Sequence, residues 1–190
     1  MISKVNSITV NGLDSDLIEV EVDINNGLPS FTIVWLPDQW VQESKERLRS
    51  ALKSSWNKLP MTRITVNLAP ANIRKSGPSF DFPIAIWILL HEWFIEDTLI
   101  KDSIFLWELS LDGRLRRVES VLPATIWAKS KWFKRIFVPK DNSKEASIIP
   151  WIDVIAIDNI LELVEMLNND RELNIVEKLD FLSLWKDELV

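Results

Sequence analysis

The 190-residue chain contains no cysteine, which excludes disulfides, thiolate zinc sites and a cysteine nucleophile. It has one histidine, His91, which cannot by itself supply a histidine-based metal site. No apolar run approaches the roughly 18 residues that a membrane-spanning helix needs, and Met1 opens no charged-then-apolar signal peptide. These absences predict a soluble, cytoplasmic chain with no membrane partner. An excess of positive charge is missing too. The net charge of −6 argues against a strongly basic nucleic-acid surface, because phosphate binding leans on clustered Lys and Arg. Half of that charge falls between residues 169 and 190. There Asp170, Glu172, Glu177, Asp180, Asp187 and Glu188 outnumber Arg171, Lys178 and Lys186.

Glycine is scarce, with 4 residues, while tryptophan is abundant, with 10. Average usage puts Gly near 7%, or roughly 13 in a chain of this length. The two counts here sum to 14. Trp56 and Trp132 each follow a helix-like run ending in small or basic residues, ALKSS and IWAKSK, and precede a short lead into a strand. A left-handed glycine usually closes a helix at that point, and any side chain pays a steric penalty there. The pattern suggests a gene that reads UGA as glycine, translated with a table that reads it as tryptophan. A genuinely Trp-rich or redesigned protein is the alternative.

What is present reads as one domain, long enough to bury a core. Strand patterns over Lys4–Val10, Leu17–Ile24 and Ser30–Leu36, separated by Asn11-Gly12 and Asn26-Gly27, predict a meander. Asp38 is placed to cap a helix over about 39–55, with Val41, Leu48, Ala51 and Leu52 on one face and Glu43 four residues before Arg47. Arg63–Leu68 is an apolar strand, and Asp81 caps a helix over about 82–91 in which Pro83 is tolerated in the first turn. A strand over Ile104–Leu111 turns at Asp112-Gly113 into Arg114–Val118. Further segments are a helix over about 123–131, strand Arg135–Pro139, a short helix around 143–149, strand Ile152–Ile157 and a helix over Asn159–Leu167. Residues 1–168 form the expected domain, and 169–190 read as a charged linker. Strands grouped early, then alternating with helices, predict an α/β (α+β) two-layer sandwich with a mixed sheet and helices mainly on one face.

Few residues carry chemistry. A phosphate-cradling G-x-x-x-x-G-K-[ST] loop is absent, even with Trp35 and Trp40 read as Gly, and so is G-x-G-x-x-G. Glu19 with Glu21, and Asp14 with Asp16, fit solvated strand faces and turns. Glu108 sits in an otherwise apolar strand and needs a partner if buried, with Arg63 and Arg116 as candidates. Arg74 and Lys75 lie on the loop after strand Arg63–Leu68, and Arg114, Arg116 and Arg117 make a second basic cluster. Either cluster is a candidate contact to nucleic acid or to a neighbouring subunit, or a solvated surface.

The strings LPDQWVQESKERLRSAL, TRITVNLAPANIRKSGPSFDFPIAI, FLWELSLDGRLRR and FVPKDN, in that order, resemble the N-terminal domain of the ComM/YifB family of magnesium-chelatase-like AAA+ ATPases. On that comparison Trp35, Trp87 and Trp107 stand where relatives carry Gly. The resemblance covers about residues 1–169 and implies a Lon-like domain. An AAA+ ATPase core would follow it, and residues 169–190 would be the linker toward that core. It further implies that ATP and Mg bind in the downstream domain, with no cofactor here. Neighbouring subunits of a hexamer and the chain's own AAA+ domain are the expected partners, DNA is a possible one, and the expected role is branch migration during natural transformation.

The stretch SGPS at Ser76–Ser79 also resembles the proteolytic domain of Lon proteases, which puts Ser79 near a nucleophile position. The dyad base would fall around Leu122, and no lysine occurs between Lys101 and Lys129. Ser79 is then a vestigial position, and the expected role is a non-catalytic module acting in assembly or DNA engagement. A Lon-like serine peptidase and a free-standing interaction domain are the alternatives.

Overall fold

The structure, a computed structural model, describes residues 4–11, 14–34, 36–54, 58–73, 80–93, 99–168 and 171–179. The chain opens with an antiparallel hairpin of β1 (Lys4–Asn11) and β2 (Asp14–Asn25), in which Val5 faces Val20. Side chains alternate across a strand, so Ile18, Val20 and Val22 are buried on one face of β2. β3 (Ser30–Ile33), α1 (Asp38–Ser54) and β4 (Arg63–Ala69) follow, then α2 (Asp81–Trp93) and β5 (Ser103–Phe105). A small two-stranded ribbon of β6 (Glu108–Leu109) and β7 (Leu115–Arg116) precedes α3 (Val121–Ser130). The chain continues through β8 (Arg135–Pro139), a 3-10 turn over Lys140–Asn142, α4 (Ser143–Ser147), β9 (Asp153–Ile157) and α5 (Ile160–Leu167).

Seven strands form one mixed sheet in the order β3-β4-β2-β1-β5-β8-β9, with parallel pairing of β3 with β4, and from β1 through β5 and β8 to β9. This is an α/β sandwich. The meander expected from the early turns is corrected here. β3 does not pair with β2, because α1 carries the chain back and β4 inserts between them, antiparallel to β2 and parallel to β3. The single strand expected over Ile104–Leu111 is corrected too. Leu106 still donates to the Phe137 carbonyl at 3.2 Å, but the chain then leaves the sheet at Trp107, packed edge-on against Phe105 and Phe137, and pairs locally as β6.

The sheet buries apolar side chains on both faces. On one face α1, α2 and α5 cover Val5, Val20, Val66, Phe105 and Phe137. On the other, α3 and α4 cover Ile8, Ile104, Ile136, Val138 and Val154. Neighbouring residues such as Ile104 and Phe105 therefore feed opposite cores, as the pleat requires. Toward β4 the second face is only half-covered, so there the helices do lie on one side.

Asn159 caps α5 by accepting from the Glu162 amide at 3.0 Å, while Glu162 accepts from the Asp158 amide at 2.8 Å. Residues 171–179, within the segment read as a linker, run along β9. Val176 donates to the Val154 carbonyl at 2.8 Å, and Ala156 donates to the Asn174 carbonyl at 3.2 Å. Arg171 ties this stretch to Glu162 at 2.9 Å, and Lys178 donates to the Ile149 carbonyl at 3.1 Å and to that of Ile152. Among the described residues no helix is long and apolar enough to cross a membrane.

Candidate functional site

Arg74, Lys75 and Ser79 lie outside the described residues, which resume at Phe80. Phe80 and Asp81 stand at the start of α2. Asp81 is buried, and its carboxylate accepts from the Ser44 hydroxyl and from Arg47 Nε, each at 2.5 Å. Arg47 also reaches Glu43, the partner expected from the i,i+4 spacing, at 3.8 Å. Burial pushes the Asp81 carboxyl above its ordinary range, against the opposing pull of Arg47 and Ser44. The cluster opens on a cavity of about 240 Å³ that Leu36, Trp40 and Phe80 also line. Asp81 thus pins α2 to α1. No local sequence pattern finds Ser44 or Arg47 as its partners, because they lie 37 and 34 residues away.

The second basic cluster is fully described. Asp112-Gly113 turns β6 into β7 as expected, and Glu108 pairs with Arg116 across the ribbon at 3.6 Å. Asp112 accepts from the Ser110 hydroxyl, from the Arg114 amide at 3.2 Å and from Arg114 Nε at 2.7 Å. These donors, Ser110 first, hold the Asp112 carboxyl down at about 2. Arg114 and Arg116 project outward, with side chains 77% and 64% exposed. With Ser110, Asp112, Arg117, Asp141 and Asp158 they line an open groove of about 490 Å³.

The ribbon tip is wedged into the body. Gly113 has φ +81, and a Cβ there would meet Ser54 Oγ at 2.2 Å and the Ala51 carbonyl at 3.3 Å. Ile160 donates to the Gly113 carbonyl at 2.9 Å, and Leu115 to the Asp158 carbonyl at 2.9 Å. Beyond β7, the buried Asn142 side chain accepts from the Val118 amide at 3.0 Å and donates to the Val118 carbonyl at 2.9 Å. Glu145 takes the Leu122 amide at 2.9 Å. Asn142, from the FVPKDN string, therefore fixes the exit of the ribbon.

Comparison with known proteins decides the family. A family profile described as Subunit ChlI of Mg-chelatase matches residues 20–142. The chain belongs to this family. The ChlI match runs from β2 into the 3-10 turn and so includes residues 74–79, Asp81 and the whole basic ribbon. Among relatives, Competence protein ComM of Haemophilus influenzae is 40% identical over 162 residues, covering 85% of this chain and 32% of the relative. YifB of Escherichia coli is 33% identical over 172 residues, covering 90% of this chain and 34% of the relative. The chain spans about a third of the length of the curated relatives it matches.

The chain carries no G-x-x-x-x-G-K-[ST] string, and among the described residues no three His, Asp or Glu side chains are grouped to hold a metal ion. His91 stacks on Trp87, with ring centroids 5.6 Å apart.

Proposed function

We propose that this chain is a non-catalytic N-terminal module of a magnesium-chelatase-like AAA+ ATPase of the ComM/YifB kind, and that it acts in assembly. Its partners on this reading are its own AAA+ domain and neighbouring subunits of a hexamer, and ATP and Mg bind in that downstream domain. The observation that carries the assembly role is the β6–β7 ribbon, which presents Arg114 and Arg116 on a rigid, body-anchored tip. Each arginine is already matched by a carboxylate, Asp112 or Glu108, and the whole chain is acidic, which favours a protein partner over phosphates. One relative is named a competence protein, in keeping with DNA processing by the full-length protein, where the motor would drive branch migration during natural transformation.

The test replaces Arg114 and Arg116 by Glu in the full-length protein and follows oligomer mass by light scattering. A several-fold loss of hexamer is expected, with binding of branched DNA by the isolated 190-residue chain absent in wild type. Intact hexamer together with salt-dependent DNA binding that the double variant loses would transfer the ribbon to DNA engagement instead. Peptide cleavage abolished by Ser79→Ala would replace the non-catalytic reading with a Lon-like peptidase.

A further inference from the structure

The end of α3 is closed by a pair of hydrogen bonds characteristic of a left-handed terminus. Phe133 donates to the Ala128 carbonyl and Trp132 to the Lys129 carbonyl, both at 3.1 Å, and Trp132 has φ +66. Phe133 stacks on Trp127, the apolar contact that accompanies this closure. The residue at the left-handed position of such a cap is usually glycine, because a Cβ there crowds the following carbonyl. A second tryptophan repeats the conformation. Trp151, in the turn between α4 and β9, has φ +68. Among the described residues, non-glycine positions of positive φ are Ser120, Trp132 and Trp151, so two of the three fall on tryptophan.

Nothing in the packing offsets that strain. The two rings are 89% and 86% exposed, whereas Trp107 lies in the core with none of its surface exposed. With Ile126 and Phe133 the exposed pair walls an apolar concavity of about 960 Å³, a shape that would otherwise be read as a docking surface.

We infer that residues 132 and 151 are glycine in the native protein, encoded by UGA and written as tryptophan by a table that reads UGA that way. The apolar concavity loses its two largest walls with them, and that face is then an ordinary helix end and turn. The total of 4 Gly and 10 Trp, close to an average glycine content, points the same way.

Two measurements test this. The first reads codons 132 and 151 in the source DNA and the peptide masses of the protein isolated from that source, with UGA and glycine expected at both. The second introduces Trp132→Gly and Trp151→Gly singly into the 190-residue chain. Each raises the thermal midpoint by roughly 2–4 °C or more. Tryptophan in the native protein at either position, or a lowered midpoint for Trp132→Gly or Trp151→Gly, overturns the inference.

Discussion

Asp112 and Asp81 show how one residue type takes opposite roles. Asp112 is an exposed residue, yet three donors gather on it, and its carboxyl falls from an ordinary 3.8 to about 2. A carboxyl whose folded value is depressed favours the folded state above its unfolded value, and that contribution is lost as pH falls toward the folded value. Asp112→Asn is therefore expected to melt earlier than wild type at neutral pH, with the difference closing between about pH 4 and pH 2 in an acid series of melting curves. Asp81 is the reverse case, buried and raised, with Arg47 as its charged partner. Removing that partner leaves a carboxylate in the core with, among the described residues, the Ser44 hydroxyl to satisfy it. Arg47→Ala should cost about 3 kcal/mol in urea unfolding.

At the level of elements, the docked stretch 171–179 completes the exposed edge of β9. Its backbone bonds add to the anchors of Arg171 and Lys178, and a residue without an amide hydrogen is the change that isolates them. Val176→Pro removes the donor to the Val154 carbonyl, and the Ala156 amide, which donates to Asn174, should then exchange its hydrogen markedly faster. Charge-rich composition hid this docked stretch: Leu173 and Val176 pack on the body, but they are spaced among Glu172, Glu177 and Lys178 with no regular alternation.

Other elements were legible because local chemistry decides them. β8 matches its expected span Arg135–Pro139, and the Asp112-Gly113 turn forms where its dipeptide predicts. The break at Trp107 was not legible. FLWEL reads as one apolar run, and the divergence depends on Phe137, thirty residues on by chain number. The place of β4 between β2 and β3 is likewise a matter of which edges are free after the hairpin has formed. Of the site, the ribbon and the Glu108–Arg116 pair could be read from spacing. The anchors Ser54, Asn142 and Ile160 could not, since each reaches it from a distant element.

At the scale of the molecule, one sheet separates two cores, with β3 and β9 as its outer strands. β9 is covered by 171–179, whose removal would expose the carbonyl of Val154 and the amide of Ala156 as a free pairing edge. A chain ending at Asn168 should unfold at a lower temperature and associate in a concentration-dependent way, read by light scattering. An unchanged midpoint with no association would show that the covering strand contributes nothing to the fold's independence.

Gly113 carries a mechanical consequence. The ribbon tip touches the last turn of α1 through Ser54 and Ala51, and the first turn of α5 through Ile160, with no room for even one more carbon atom. It works as a keyed joint between two helices that lie far apart in the chain. A load applied at the arginines would be delivered to both helix ends at once, because the tip touches both. The ribbon thereby couples the end of α1 to the start of α5.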